Sequence, residues 1–339
     1  MTEASAPIQP QKAVETLSSR HEFMFLYDIK MGNPNGDPDE NRPRVLPDGT
    51  HYVTDVRLKR FVRDFLKVRG KDILVDTIEG RTTNLSGRVV EYLKKPEVDK
   101  PKADGAELVQ ILLDAFIDAR LFGSSFAFKK EGDFEPKAEP KTLTGAVQIN
   151  MGEVLHPAEE IDIHGTSVFA SGSEKTQGTF TTYFGLRYAL IGFSGIANEH
   201  SAKISRLSDA DYEDLLKAIW NGVRAVANTR TKKGQIPHFL LDIQYKKGVE
   251  FQFGRLHDYV KLEGTDPSKA SKAWAFPTDY KINLETLIKR VEERKGFIEN
   301  IRYAKSPDVS FSQEFPKENG NEKWGNLDLE IPFKEQTKS

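Results

Sequence analysis

Between His21 and Lys30 apolar side chains fall on both parities, with Phe23, Phe25, Tyr27 and Ile29 on one and Met24 and Leu26 on the other. An aromatic, β-branched run of that kind predicts a strand covered on both faces. The period then changes. Leu58, Phe61, Val62, Phe65 and Leu66 recur at helical spacing over residues 54–67, and Lys59, Arg60, Arg63 and Lys67 occupy the opposite face. Between strand and helix lies Gly32-Asn33-Pro34-Asn35-Gly36-Asp37-Pro38-Asp39-Glu40-Asn41-Arg42-Pro43-Arg44. Its prolines, glycines and asparagines hold the backbone in turns and leave polar side chains outward.

Further along, a helix opening at Asp104 or Gly105 would bury Leu108, Ile111, Leu112, Ala115, Phe116 and Ala119 and stop at Gly123. Proline-broken, charged runs at 94–102 and 131–141 flank it, so residues 70–141 read as an insertion. Thr142–Val154 and Tyr183–Ile196 read as strands, with a hairpin over Ile161–Tyr183 turning at Ser171-Gly172-Ser173. Ser208 caps the next helix with Asp211 three residues on, and Leu215, Leu216, Ile219, Val223 and Val226 form its buried stripe. A basic loop (228–235), a strand (237–245), a pairing segment at Phe251–Val260 and one helix at about 284–294 complete the chain. Without the insertion the order is strand, helix, strand, strand, helix, strand. That predicts an α+β fold with a ferredoxin-like, RRM-type βαββαβ core at 21–260, a flexible lead at 1–20 and a one-helix extension at 261–339.

Composition narrows the chemistry. A formal net charge of −2 over 339 residues excludes indiscriminate coating of nucleic acid but not a local basic groove. Cysteine is absent, which removes disulfides, thiolate metal sites and thiol nucleophiles together. No run is apolar for long enough to cross a membrane, and Met1–Arg20 lacks the pattern of a signal peptide; a cytoplasmic protein is expected.

Asp37, Asp39 and Asn41 alternate as in a calcium loop, but Arg42-Pro43 stands where glycine belongs and no terminal glutamate follows. The histidines show no paired helical spacing, and neither a phosphate loop nor a nucleophile elbow is present. The sequence therefore predicts no catalytic set, no metal and no cofactor. RNA contact is easier to build. Arg42, Arg44, Lys59, Arg60, Arg63, Lys67, Arg230 and Lys232 are candidates for phosphates, and Asn33, Asn35 and Gln148 for phosphate or sugar oxygens. Phe169 and Phe180 lie among small polar residues in the hairpin, where an exposed ring could stack on a base; Phe169 reads better as packed beneath it.

The run GNPNGDPDENRPRV followed by VTDVRLKRFVRDFL resembles the start of the CRISPR-associated Cascade backbone subunit, the "Cas seven" family of RNA-binding proteins. Weaker matches are Asp118-Ala119-Arg120-Leu121-Phe122-Gly123, Thr144-Gly145-Ala146-Val147-Gln148, Gly178-Thr179-Phe180 and Thr229-Arg230. The resemblance implies an RRM-like palm with an inserted segment and a projecting hairpin, the thumb, at about 152–182. It further implies head-to-tail copies along a CRISPR RNA, pairing of that guide with target DNA, and further partners. These are a large subunit, a subunit capping the guide's 5′ end and a nuclease processing its 3′ end. Phe180 stands where the family's segment near the guide has methionine, and the branch is of the I-B or I-C kind, the helix start at Leu207–Asp211 favouring I-B. The alternative is a metal-dependent ribonuclease, as in type III backbone subunits, using Asp37 and Asp39.

Overall fold

A computed structural model of the chain describes residues 15–77, 81, 83–95, 105–130, 141–166, 180–225, 234–315 and 324–329, with backbone alone at 105–107, 165–166 and 180–181. The turn Ser171–Ser173, Phe169, and most of the lead lie outside these residues.

The alternation in β1 (His21–Gly32) is realised on two sides of one sheet. Phe23, Phe25, Tyr27 and Ile29 join one apolar cluster, and Met24 and Leu26 join another. All six of these side chains, Phe23 to Tyr27 and Ile29, have no exposed surface. After the polar loop come β2 (Tyr52–Val53) and α1 (Asp55–Val68), whose Leu58, Phe61, Val62, Phe65 and Leu66 pack onto the first cluster as the spacing predicts.

The insertion holds α2 (Leu85–Leu93), α3 (Gly105–Ala115), α4 (Ile117–Phe122) and the small hairpin β3 (Gly123–Phe126) with β4 (Lys141–Thr144). These build their own apolar cluster around Leu112, Leu113, Phe116 and Phe126. The expected single strand over 142–154 is instead three pieces, β4, β5 (Val147–Ile149) and β6 (Gly152–Val154). The cause of the first break is close backbone packing. A Cβ on Gly145 would lie 2.2 Å from the carbonyl carbon of Phe122, and one on Gly123, at φ +77°, would lie 2.1 Å from the Leu143 oxygen. The two glycines thus meet back to back. Gly123→Ala is expected to cost about 3 kcal/mol, the upper end of ordinary point substitutions, measurable by denaturant unfolding; a change under about 0.5 kcal/mol would mean the joint relaxes freely.

β7 (Glu160–Thr166) pairs with the start of β8 (Phe180–Ala197), forming the arms of the expected hairpin, and the rest of β8 pairs with β1. α5 (Glu199–Ser205) leads to α6 (Asp209–Ala225), where Ser208 and Asp211 exchange backbone-to-side-chain hydrogen bonds of 3.1 Å, the predicted capping box. β9 (Gln235–Tyr245) lies on the other side of β1. The central order is β9-β1-β8, with β5, β6 and β7 all antiparallel to β8. Helices α1 and α6 cover one face.

Phe251–Val260 was expected to pair as a strand; the structure replaces it by a loop and a 3-10 turn, Leu256–Tyr259. The buried Glu22 carboxylate captures the Phe253 and Gly254 N–H groups at 2.7 and 2.8 Å, taking them from any strand partner. The C-terminal segment adds β10 (Lys261–Gly264), β11 (Tyr280–Asn283), α7 (Glu285–Glu293), β12 (Ile298–Lys305), β13 (Ser310–Phe311) and β14 (Trp324–Asn326). The expected helix is α7, and the segment around it forms a third layer. Trp274, Tyr280, Ile282, Leu287 and Phe315 close over Met24, Leu26, Tyr188 and Phe239 on the second face of the sheet, and β12 extends the sheet beyond β9.

The layers are tied by buried polar groups. Asp242 accepts hydrogen bonds from Tyr212 at 2.7 Å and Arg302 at 2.7 and 3.1 Å, and its Oδ1 lies 3.0 Å from His21 Nδ1. Burial alone would raise its carboxyl, but His21 and Arg302 hold it below the ordinary 3.8. The unfolded chain therefore takes up this proton first as pH falls. The stability Asp242 contributes is present above about pH 4 and is lost as pH drops through the depressed folded value. Thermal melts should show a shallower acid limb in Asp242→Asn, which has no charge to lose; an unchanged limb would place the acid sensitivity elsewhere. No described helix is long and apolar enough to cross a membrane.

Candidate nucleic-acid interface

Antiparallel pairing places three polar segments at one end of the sheet. Gly32, the last residue of β1, pairs with Leu186, where β8 leaves β1 for the β7 hairpin, and Ile29 pairs with Gln235, the first residue of β9. The loop 33–51, the hairpin and β9 therefore all start from this end. Arg230 and Lys232, in that approach, lie outside the described residues, as does the Phe180 side chain; the Phe180 backbone pairs with Thr166.

The loop is built by its own polar side chains. Asp37 Oδ1 accepts from the N–H groups of Asp39 and Glu40 at 2.9 and 2.8 Å, and Oδ2 from that of Arg42 at 2.9 Å. These bonds, that from Glu40 foremost, hold its carboxyl below the usual range. Asn33, 1% exposed, donates from Nδ2 to the Asn41 carbonyl at 2.7 Å. Asn35 Oδ1 accepts from the N–H and hydroxyl of Thr54, both at 2.8 Å, fastening the loop to the start of α1. A Cβ at Gly36 would stand 2.0 Å from Asn41 Oδ1, so the Asn41 side chain folds over the glycine. The Asn-Pro-Asn-Gly-Asp run is thus the loop's scaffold. Arg42 reaches out of it, 3.6 Å from both Glu160 and Asp162 of β7 and 3.8 Å above the Phe184 ring of β8, clamping loop to hairpin.

The basic stripe of α1 is carboxylate-paired along its length. Lys59 meets Asp55 at 2.8 Å and Arg60 meets Asp64 at 2.7 Å, both at the i,i+4 spacing. Lys67 meets Asp76 at 2.5 Å, and although burial would raise that carboxyl, the lysine keeps it lowered. Arg63 donates to the fully buried Asp118 at 2.9 Å. Exposed i,i+4 pairs are worth only about 0.3–0.5 kcal/mol, so Arg60 can exchange its partner for a phosphate, whereas Arg63 is locked. Gln148 is exposed and donates to the Gly145 carbonyl at 3.0 Å; it pairs with Ile196, at the opposite end of β8 from Leu186 and the hairpin.

Beside the β2–α1 junction, the guanidinium groups of Arg44 and Arg57 have no ion pair among the described residues. Arg44 is half-buried in the loop, its carbonyl accepting from Tyr52 N–H at 3.0 Å, and its Nε is buried without a hydrogen bond. Arg57, in the first turn of α1, stands 4.1 Å above the Phe61 ring with Nε likewise unsatisfied, and burial lowers its pKa. Both flank the β2–α1 junction. Sequence periodicity passed over Arg57 because it sits at the edge of the apolar stripe, four residues before Phe61; that position is itself a signal for a half-buried, snorkelling cation. A cavity of about 540 Å³ opens between the ends of β1 and β9 and the C-terminal segment, with Lys30 3.4 Å over Phe276 and the Asp28–His238 pair, 2.9 Å apart, among its lining.

The remaining motifs are joints rather than contacts. Asp118 also accepts from Leu74 and Val75 N–H at 2.7 and 3.1 Å, and Arg120 holds Asp211 of the α6 cap through two bonds of 2.7 and 2.8 Å.

This chain is similar over much of its length to known proteins. A protein of Haloferax volcanii described as CRISPR-associated protein Cas7 is 31% identical over 299 residues, covering 84% of this chain and 86% of that one. A solved chain of a CRISPR RNA-guided surveillance complex aligns with a TM-score of 0.49 and 13% identity, covering 87% of this chain and 95% of its own. A chain of such a complex in a pre-nicking state aligns at 0.49 and 12%, covering 88% and 97%. Residues 19–285 match the profile of the family described as CRISPR-associated protein Cas7, and with the Haloferax relative this places the chain in that family.

Proposed function

We propose that this protein is a non-catalytic backbone subunit of a type I CRISPR Cascade complex, of the I-B or I-C kind, binding CRISPR RNA in the cytoplasm. The observation that carries the reading is geometric. Both faces of the central sheet are closed, so bases cannot lie across it as on an open RRM sheet. What remains is the sheet end, where the loop and the hairpin start, and the β2 edge to which the loop returns, flanked by two guanidinium groups without an ion pair. Arg44 and Arg57 are the principal phosphate contacts in this reading. Arg42, Arg60, Lys67, Arg230 and Lys232 add exchangeable charge, and Phe180 lies on the thumb that spaces the guide. Lys59 borders the surface, Asn33, Asn35 and Arg63 shape it from behind, and Gln148, at the other end of β8, is left out of it.

The strand order β9-β1-β8 followed by β5 and β6, with α1 and α6 on one face, supports a ferredoxin-like core. On it the β7–β8 hairpin is the thumb, residues 70–141 are the insertion, and the C-terminal segment seals the second face. Copies would assemble head to tail along the guide, a heterologous contact that builds an open helix. They would display the guide to target DNA, with a large subunit and guide-end subunits at the ends. The three N–H groups filling Asp37 favour a structural aspartate over a nuclease ligand.

Co-expression with a CRISPR array and partner subunits tests this. A large particle absorbing strongly at nucleic-acid wavelengths is expected, and an RNA-free monomer would overturn the proposal. Labelled RNA incubated with that particle and magnesium should stay intact; cleavage abolished by Asp37→Ala would make the protein a ribonuclease instead.

A further inference from the structure

A second polar cluster lies where the C-terminal 3-10 turn meets β6, next to Leu46 and Tyr52 at the return of the loop. Glu153, in the middle of β6, faces His257 and Asp258 of the turn Leu256–Tyr259, and one ligand atom from each lies within 4.8 Å of the others. His257 is 1% exposed, and its Nε2 is buried without a hydrogen-bond partner, 3.6 Å from Asp258 Oδ1. Its other ring nitrogen lies 2.6 Å from Ser194 Oγ, which also accepts the His257 backbone N–H at 2.9 Å. Gly192 lets the turn come this close, since a Cβ there would stand 3.1 Å from that of His257. The ring is therefore fixed from behind, with its free nitrogen directed at two carboxylates.

We propose that Glu153, His257 and Asp258 form a binding site for one divalent transition-metal ion. One imidazole and two carboxylates, without thiolate, suit Zn²⁺, Mn²⁺ or Co²⁺, whereas Mg²⁺ and Ca²⁺ favour all-oxygen shells. Ser194 would hold the imidazole orientation from the outer shell, as metal-ligating histidines require. The place of the cation is now taken by Arg255. Its guanidinium meets Glu153 at 2.7 Å and Asp258 at 2.9 and 3.1 Å, and its side chain is 47% exposed, free to swing away. Carboxylate oxygens about 2 Å from a common ion need only a small inward shift of two partly exposed side chains. A bound ion would staple the C-terminal layer to β6, the strand between β8 and β2.

The arginine makes the proposal sharply testable, because it competes with the metal. The full-length, metal-stripped protein is titrated with Zn²⁺ and Mn²⁺ by calorimetry, and with Co²⁺ by visible absorption. One saturable site is expected, together with a metal-dependent rise in the thermal midpoint. Glu153→Gln and Asp258→Asn, conservative and partly exposed, should each weaken binding at least tenfold. Arg255→Gln should strengthen it by a similar factor. The proposal is overturned if neither the wild type nor the Arg255→Gln variant binds any of the three ions. It is equally overturned if the acid variants bind as tightly as the wild type, which would place the ion elsewhere.

Discussion

Asp118→Ala is expected to lower stability by about 3–5 kcal/mol, the range for removing one partner of a buried ion pair. The side chain has no exposed surface, and it satisfies Arg63, itself 12% exposed, together with two backbone N–H groups of the segment leaving α1. Truncation leaves a nearly buried guanidinium and two amides without acceptors, and water has little access to replace them. The thermal midpoint should fall by on the order of 10 °C. Asp118→Asn, which retains one carbonyl acceptor, should lose about half as much. A midpoint within one or two degrees of the wild type would show that α1 and the insertion are not coupled through this carboxylate.

The second large effect concerns guide binding. Arg44→Ala combined with Arg57→Ala is expected to weaken RNA affinity roughly 100-fold at low salt, two charge-assisted contacts at about 1.5 kcal/mol each. The slope of log K against log salt should flatten by about 1.4, as two fewer phosphates are neutralised on a single strand. Arg60→Ala and Lys67→Ala, whose side chains are shared with Asp64 and Asp76, should shift the slope less. Removing Lys59 and Arg63 together should register chiefly in stability, since Arg63 anchors Asp118. If the double arginine variant binds RNA with an unchanged slope, the guide does not pass the β2–α1 junction.

The regular elements were legible because their information is local. The two-sided alternation in β1, the stripe of α1 and the Ser208–Asp211 cap each occupy a few adjacent positions. What stayed hidden depends on partners far along the chain. Lys59, Arg60, Arg63 and Lys67 read as a free basic face, yet Arg63 is claimed by a carboxylate 55 residues away. The C-terminal layer was missed for a different reason. Trp274, Tyr280 and Phe315 are core residues, but they arrive on 3-10 turns and short strands that carry no sustained period. The motifs Leu121-Phe122-Gly123 and Thr144-Gly145 look unrelated in the sequence and prove to be two halves of one backbone contact.

β8 runs for 18 residues in register first with β7 and then with β1, passing Leu186 without a shift. At about 3.3 Å per residue it is a rod some 60 Å long, with one half embedded in the densest part of the molecule. A projection mounted this way has no hinge, so its bearing is inherited from the twist of the sheet. Repacking Phe193 or Tyr188, well inside, would then alter the pitch of a multi-copy assembly more than trimming the tip would. If the proposed head-to-tail assembly forms, the interval between successive hairpins is a dimension machined into the core.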